Sequence, residues 1–320
     1  MHLLRQYGVD TVFGIPGVHT IELYRGLPGS GLTHITPRHE QGAAFMADGY
    51  ARASGKPGVC FLITGPGVTN AATAMAQAYS DSIPMLVISA VNRREDLGMG
   101  YGRLHELPRQ QDVSRGFCIW QHSLTGAEQL PAALARAFQM MRAGRPGPVH
   151  IEIPIDLFPA AMPGSLADYR AAPAPALPGC DPDALATAAE WLRDAANPVI
   201  LLGGGAQSCG DTATALAEKL SAPVFQSLAA KGIVDERHPL CGGANLSFNA
   251  VRTRVESADV VLAVATELAE TDRNLVRDDY QFSGRLIRVD IDPAQLICNA
   301  NPDLAICADA RAVLEGLSKQ

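Results

Sequence analysis

Short apolar runs alternate with alanine-rich helical patterns along most of the chain, and this alternation constrains the fold more than any other feature. Helical patterns cover residues 41–54 and 126–143. The predicted strands of the first part cover residues 11–15, 33–37, 59–64, 85–89 and 149–154. Because strands that are apolar on both faces belong to parallel sheets covered by helices, we expect an α/β domain over residues 1–157.

A second alternating series follows a change in composition. Residues 158–182 are rich in proline and poor in large apolar side chains, which predicts an extended surface linker. The predicted strands beyond it cover residues 198–204, 222–228, 259–266 and 285–292. The chain is therefore expected to hold two three-layer α/β/α domains with mainly parallel sheets, over residues 1–157 and 183–320.

Charge and cysteine content exclude several classes of protein. With a net charge of −7 and a pI near 5.6, the chain offers no basic field for nucleic acid or for an anionic membrane. No apolar run reaches the roughly 18 residues that span a bilayer. The first residues lack the pattern of a signal peptide, so a cytoplasmic location is expected. The seven cysteines form no CxxC pair, which predicts reduced thiols and no metal site.

Two glycine turns follow predicted strands at the edge where open α/β sheets bind ligands. FGIPG places Pro16 and Gly17 after the first strand, and TGPGVTNA places Gly65, Gly67 and Asn70 after the third. Glycine lets a ligand approach the backbone, and the free N–H groups of a helix start favour an anion or a polar ring edge. Either turn would serve equally well as a plain tight connection.

An acidic residue lies at the same predicted edge. RHEQGAAFMADGYAR places Glu40 after the second strand and at the start of a helix. A carboxyl group in this position can relay a proton, and it can also simply complement the positive end of the helix dipole. Residue spacing alone leaves both interpretations open.

Taken together, these segments are similar to a known family. FGIPGVHTIELYRGL, the pair HEQGAA…GYAR and GPGVTNA, and GRPGPVHIEIPIDL resemble the thiamin-diphosphate enzymes of the acetolactate synthase and 2-oxo-acid decarboxylase type. The resemblance covers nearly the whole chain. It implies a pyrimidine-binding domain over residues 1–157 and a Rossmann-like central domain over residues 183–320.

The resemblance implies a role for each candidate residue. Glu40 would hydrogen-bond N1′ of the aminopyrimidine ring of thiamin diphosphate. The turn from Gly65 to Asn70 would lie beside that ring, and Pro16 and Gly17 would form the neighbouring turn. The cofactor would serve as electron sink while a 2-oxo acid loses CO₂, with or without carboligation to an acceptor. This chain is expected to supply the half of the site that activates the aminopyrimidine.

Members of this family carry a third domain, in which a GDG motif and a later asparagine hold Mg²⁺ and the diphosphate. GDG does not occur in this sequence, and the nearest string is CGD at 209–211. We therefore expect the C-terminal diphosphate-binding domain to be absent and Mg²⁺ to be bound outside this chain. Because the family holds its cofactor between subunits, we expect a homodimer, a homotetramer, or pairing with a separate diphosphate-domain chain.

Two histidines are candidates for the substrate side of the site. GYGRLHELPRQQDVSRGF carries Leu104, His105 and Glu106 where acetolactate synthases commonly carry Phe-Gln-Glu. This variant most resembles the branch that includes 5-guanidino-2-oxopentanoate decarboxylase. His105 could recognise a polar substrate or relay protons, and His19 could face the same site. A surface histidine at a helix start is the alternative.

The central domain raises the question of FAD, which acetolactate synthases hold there. The positions that contact FAD in those relatives correspond here to Arg145, Gly203, Gly204, Gly205 and Asp290. The family's Gly-x-Arg after the next strand is replaced by Thr266, Glu267 and Leu268, which removes a cation from the diphosphate region. This departure disfavours bound FAD, although the glycines remain a candidate site.

Two other classes of protein remain open. A nucleotide-binding protein would also combine two α/β domains with a GGGA turn. It would need an acidic ribose anchor about 20 residues beyond the glycines, and Glu218 lies in that range. The second alternative is a non-catalytic fragment or subunit that keeps only the dimer-forming surface.

Overall fold

The structure, a computed structural model, describes residues 1–273 and 280–320 and divides into two compact units. Unit 1 comprises Met1–Ala176 and unit 2 comprises Leu177–Gln320. Each unit contains one six-stranded sheet in which the strand pairings are parallel. The predicted α/β class with parallel sheets is confirmed. Across the described ranges, no helix is both long enough and apolar enough to cross a bilayer.

Unit 1 alternates helices with strands. Its helices are α1 (His2–Gln6), α2 (Ile21–Arg25), α3 (Glu40–Ser54), α4 (Pro66–Ser80), α5 (Gln110–Ser114) and α6 (Leu130–Arg142). Its strands are β1 (Thr11–Gly14), β2 (Thr33–Ile35), β3 (Gly58–Leu62), β4 (Met85–Val91), β5 (Trp120–Ser123) and β6 (Pro148–Pro154). The strand order is β2-β1-β3-β4-β6-β5, so the sheet grows in opposite directions from β1. Open α/β sheets bind ligands at such a switch point.

Alternate residues of the unit 1 strands face two different helical layers. The side chains that pack with α1 and α6 on one face are Val12, Val59, Phe61, Leu86 and Ile88. The side chains that pack with α3 and α4 on the other face are Phe13, Cys60, Leu62, Met85 and Val87. The buried positions of α3 and α4 are mostly alanine, which lets both helices approach the sheet and each other closely.

Unit 2 repeats the layered arrangement. Its helices are α7 (Pro182–Asp194), α8 (Gly210–Leu220), α9 (Asn249–Glu256) and α10 (Ala310–Lys319). Its strands are β7 (Pro198–Leu202), β8 (Val224–Gln226), β9 (Cys241–Gly243), β10 (Val260–Val264), β11 (Arg285–Asp290) and β12 (Leu304–Cys307). The strand order is β12-β11-β10-β7-β8-β9. Helices α7, α8 and α10 share one core with the sheet, and α9 packs in a second core on the other face.

The boundary between the units falls inside the predicted linker, and part of that segment packs on unit 1. Gln6 Nε2 donates to the carbonyl of Tyr169 at 3.2 Å, and the N–H of Ala171 donates back to Gln6 Oε1 at 2.7 Å. The N–H of Ala172 donates to the Tyr7 hydroxyl at 3.0 Å. These bonds to α1 and its C-cap, which composition does not reveal, hold residues 169–172 against unit 1.

Candidate functional site

The carboxyl edge of the unit 1 sheet gathers three of the predicted site segments. Strand β1 pairs with β2 on one side and with β3 on the other. Pro16 and Gly17 follow β1, Glu40 begins α3 after β2, and Gly65 leads into α4 after β3. The topology therefore brings together segments that are well separated along the chain.

Glu40 and Asn70 form the central contact of this edge. Glu40 is the first residue of α3 and is 9% exposed. Its Oε2 accepts a hydrogen bond from Nδ2 of Asn70, on α4, at 2.9 Å. The N-cap residue His39 accepts the N–H of Gln41 through Nδ1 and so fixes the start of α3. A neutral amide thus orients the carboxylate, which has capacity to accept further donors.

The turn at Gly65 needs glycine for two reasons. Its φ is +61°, a conformation that other residues rarely adopt. A Cβ at this position would also collide with the backbone oxygen of His105. The N–H of Gly65 donates to Oε1 of Gln110 at 2.6 Å. The backbone of the neighbouring loop therefore occupies the space beside this glycine.

Gly17 and Gly67 have a shared neighbour. A Cβ on Gly17 would lie 2.6 Å from Cγ2 of Ile63, and a Cβ on Gly67 would lie 2.8 Å from Cγ1 of the same residue. The two glycines therefore make room for the Ile63 side chain, which lies between the two turns. An apolar side chain held at the edge of the sheet suits contact with a flat ring.

A buried polar atom at the same turn has no protein partner. Thr64 is fully buried, and its Oγ1 has no hydrogen-bond partner among the described residues. A buried hydroxyl without a partner costs about 1–3 kcal/mol. Such an atom, directly before Gly65, is suited to a polar atom of a ligand.

The two predicted substrate-side histidines lie close to each other. The rings of His19 and His105 are 5.8 Å apart between centroids and nearly perpendicular. His19 is buried, and this burial, followed by the influence of His105, lowers the pKa of His19 below its usual value. His105 has a φ of +55° and is exposed. The pair borders the Gly65 turn through the backbone oxygen of His105.

The residues predicted for an FAD-type site are distributed over both units. Arg145 belongs to unit 1, where its Nη2 donates to the carbonyl of Ser80 at 3.3 Å. In unit 2, Gly203–Gly205 follow β7, and Asp290 ends β11. A Cβ on Gly203 would collide with the backbone of the turn at residues 265–266. The turn at residues 265–266 therefore packs directly against Gly203, and this close backbone contact accounts for the glycine without a bound dinucleotide.

Arg288, which sequence reasoning missed, holds that turn in place. This arginine is 1% exposed, and its Nη2 donates to the carbonyl of Thr266 at 2.8 Å. Burial lowers the pKa of Arg288 below its usual value. Glu218, the acid that a nucleotide-binding protein would need, lies on α8 and contacts Nε2 of His238 at 3.2 Å. These contacts give no support to a nucleotide site at the glycines.

Sequence reasoning also missed a set of polar residues behind the Gly65 turn. They are Ser89, Gln110, Ser114, His150 and Glu152, all buried. The available signal was the presence of Ser89, His150 and Glu152 within strands that are otherwise apolar. Within the described ranges, no group of three or more His, Cys, Asp or Glu side chains could hold a metal ion.

Comparison with known proteins gives consistent matches over both units. Residues 1–114 match the model for the N-terminal TPP binding domain of thiamine pyrophosphate enzymes, and residues 185–317 match the model for their central domain. A protein of Pseudomonas aeruginosa, named Probable 2-ketoarginine decarboxylase AruI, is 51% identical over 319 residues. That alignment covers 99% of this chain and 56% of the relative.

Two further matches agree. An acetolactate synthase of Arthrospira platensis is 35% identical, over 97% of this chain and 55% of the relative. A solved structure described as a thiamin diphosphate-dependent enzyme from Mycobacterium smegmatis has a TM-score of 0.84 and 27% sequence identity, and the match covers 99% of this chain and 60% of that one. The chain thus spans little more than half the length of these relatives.

Proposed function

The chain belongs to the thiamin-diphosphate-dependent enzymes, and from that membership we propose that it supplies the half of an active site that activates the aminopyrimidine. The reaction is decarboxylation of a 2-oxo acid, carboligation, or both. The observation that carries this proposal is the hydrogen bond from Asn70 to the buried carboxylate of Glu40, at the switch point of the unit 1 sheet. Buried acids at such edges are suited to proton transfer with a bound ligand.

The residues at this edge fit the proposed cofactor. Glu40 offers a carboxylate that can accept a ring N–H, and Asn70 fixes its orientation. Ile63 gives an apolar surface between the two glycine turns, and Thr64 brings a buried hydroxyl that has no partner among the described residues. This combination of one acid, one apolar surface and one hydroxyl suits a heteroaromatic ring with polar edges.

Each residue then has a defined part in the reaction. Bound thiamin diphosphate would supply the electron sink for the loss of CO₂. Glu40 would hold a proton at ring atom N1′, and the start of α3 favours its negative charge. Asn70 would keep the carboxylate directed at that atom. Pro16, Gly17 and the turn from Gly65 to Gly67 would position the ring.

The proposed substrate is a small 2-oxo acid. The name of the Pseudomonas aeruginosa relative makes 2-ketoarginine the first compound to test. His19 and His105, paired beside the Gly65 turn, would contact the substrate. His19 is buried and its pKa is lowered, so it would act as a neutral hydrogen-bonding group at neutral pH.

We also propose the partners that such a site requires. Mg²⁺ and the cofactor diphosphate would be bound by a diphosphate-binding domain, within the part of the relatives that this chain does not span or on another chain. A homodimer or homotetramer in the cytoplasm is the proposed assembly. Phe45 and Met46, on the same helix as Glu40, are 42% and 44% exposed, which supports a surface covered by a partner.

The test of this function is Glu40→Gln in the assembled protein that carries this chain. We expect exchange of the cofactor C2 proton with deuterium, followed by NMR after acid quench, to slow at least about 100-fold. Thiamin diphosphate binding should remain measurable because the side chains are equal in size. The matched control is Glu22→Gln, which removes an exposed carboxylate that pairs with Arg25 at 3.0 Å on α2. A wild-type exchange rate in Glu40→Gln would eliminate Glu40 as the activating acid.

A further inference from the structure

A connected set of buried polar side chains lies behind the Gly65 turn. It consists of Ser89 on β4, Gln110 and Ser114 on α5, and His150 and Glu152 on β6. Each of these residues is 3% exposed or less. Burial of polar groups is unfavourable unless their hydrogen bonds are satisfied, and apolar residues could fill the same volume. The set therefore requires an explanation beyond packing.

Gln110 is the centre of this set. Its Oε1 accepts the N–H of Gly65 at 2.6 Å. Its Nε2 lies 2.9 Å from Oε1 of Glu152, 3.0 Å from the carbonyl of Ala90 and 3.2 Å from Oγ of Ser89. One side chain therefore connects the turn between β3 and α4 to both β4 and β6.

His150 continues the chain of hydrogen bonds to the other end of α5. Its Nε2 lies 2.8 Å from Oγ of Ser89, and its Nδ1 lies 2.7 Å from Oγ of Ser114. Ser114 in turn donates to Oε1 of Gln121 at 2.9 Å. The hydroxyl of Ser114 donates its hydrogen to Gln121, so toward His150 it can only accept. We therefore assign to His150 the tautomer that carries its hydrogen on Nδ1. Both ends of α5 are thus bonded to the sheet.

The N–H of Gly65 depends on Gln110 for its hydrogen bond. Gly65 has the unusual φ of +61°, and its carbonyl accepts the N–H groups of Val68 and Thr69 at 3.0 Å in the first turn of α4. Gln110 is the acceptor for the Gly65 N–H. Without Gln110, the buried N–H of Gly65 would lose its partner, and because glycine has wide conformational freedom, other conformations of the turn would become accessible.

We propose that Gln110 is a positioning residue of the proposed cofactor site. It fixes the Gly65 turn, and with it the start of α4, from which Asn70 reaches Glu40 at 2.9 Å. It also anchors the segment that carries His105, whose backbone oxygen lies against Gly65. Gln110 therefore determines how Glu40 and Asn70 are placed relative to the segment that carries His105. It does so without itself contacting the cofactor or the substrate. This inference rests on the proposed function.

The first test measures the turn itself, without cofactor. Gln110→Met keeps the length of the side chain and removes both its donor and its acceptor. With selective ¹⁵N-glycine labelling, we expect hydrogen exchange of the Gly65 amide to accelerate about tenfold, the loss of one buried hydrogen bond. The Gly203 amide in unit 2, bonded to Val264 at 2.9 Å, should keep its rate. Gln111→Met, the same change at a neighbouring and less buried position, is the matched control.

The second test measures the consequence at the cofactor. In the assembled protein, Gln110→Met should slow exchange of the thiamin diphosphate C2 proton at least tenfold while the cofactor Kd changes less than about threefold. Gln110→Glu, which still offers an oxygen to the Gly65 N–H, should recover part of both the amide protection and the exchange rate. If Gln110 contributed only to stability, Gln110→Met would lower the midpoint of thermal unfolding. The rate of C2-proton exchange in the folded fraction would then be unchanged.

The outcomes separate the two proposals. Wild-type rates at Gly65 and at the cofactor in Gln110→Met would overturn the role of Gln110 and leave the proposed function standing. A wild-type protein that binds no thiamin diphosphate would overturn the proposed function itself. If Gln110→Met does not fold, the comparison of Gln110→Leu, which also removes the acceptor for the Gly65 N–H, with Gln111→Leu decides by the same two rates.

Discussion

Two buried ionisable residues on β6 have pKa values that are shifted in opposite directions. Burial lowers the pKa of His150 from 6.5 to about 4. Burial raises the pKa of Glu152 from 4.5 to about 7, partly opposed by hydrogen bonds from Gln110 and Ser123. Between pH 4.5 and 6.5 both groups are therefore neutral in the folded chain and charged in the unfolded chain.

This arrangement predicts compensating effects of pH on stability. The pKa of Glu152 is raised on folding, so its contribution is complete below pH 4.5 and is lost as pH rises toward 7. The pKa of His150 is lowered on folding, so its contribution is complete above pH 6.5 and is lost as pH falls toward 4. Between pH 4.5 and 6.5, the unfolding free energy contributed by Glu152 falls with rising pH while the contribution of His150 rises, and the two changes cancel in the wild-type chain.

Substituting one of the two residues should reveal the pH dependence of the unfolding free energy that the other contributes. Relative to wild type, Glu152→Gln should lose roughly 3 kcal/mol of unfolding free energy as pH falls from 6.5 to 4.5. His150→Gln should lose a similar amount as pH rises over the same interval. Calorimetric or urea unfolding across this range provides the measurement, with Glu22→Gln as an exposed control. Parallel pH profiles for all four proteins would contradict the assigned pKa directions.

At the residue scale, the site residues that sequence analysis predicts are those that belong to local motifs. Glu40, Asn70, Gly17 and Gly65 stand in short segments whose spacing a linear sequence displays. Gln110 was missed because its partners lie in the turn after β3 and on β4 and β6, and only the sheet order brings these segments to one helix. Single polar residues within apolar strands were the sole signal.

At the scale of elements, the turn between β3 and α4 makes the clearest prediction. Gly65→Ala should destabilise the chain by roughly 1–3 kcal/mol, because φ is +61° and the new Cβ would meet the backbone oxygen of His105. Thermal unfolding measures the effect. Gly49→Ala, in the middle of α3 with open space around its Cβ position, should instead stabilise by about 0.5–1 kcal/mol. Equal effects of the two substitutions would refute the assigned conformation.

The strands themselves were predicted well wherever they are buried. Every predicted strand is present, including β4 and β6, which are buried at each position, although the strand predicted over residues 222–228 covers only Val224–Gln226. Strands β5, β9 and β12 were missed, and each lies at an outer edge of its sheet. They are short and only partly buried, so they lack the continuous apolar run that marks a central strand.

At the scale of the whole molecule, the boundary at Ala176 has a measurable consequence. We expect the fragment 1–176 to unfold at a higher temperature than the fragment 1–157, by roughly 5 °C or more. The longer fragment keeps Tyr169 and Phe158, which pack against the core of unit 1, and the backbone bonds to Gln6 and Tyr7. Scanning calorimetry of both fragments is the measurement. Equal midpoints would place residues 158–176 in the linker that composition predicted.

The residues of the candidate site and the residues that support the Gly65 turn are synthesised at different times. Glu40 and Asn70 are 30 residues apart, whereas Gln110 and Glu152 follow later in the chain. Because a ribosome releases the chain from its N-terminus, the acid and its amide partner emerge before the side chains that brace the Gly65 turn. During synthesis, Glu40 and Asn70 therefore leave the ribosome before Gln110 and Glu152. The order of the strands thus determines when the contacts of the candidate site can form, as well as where the site lies.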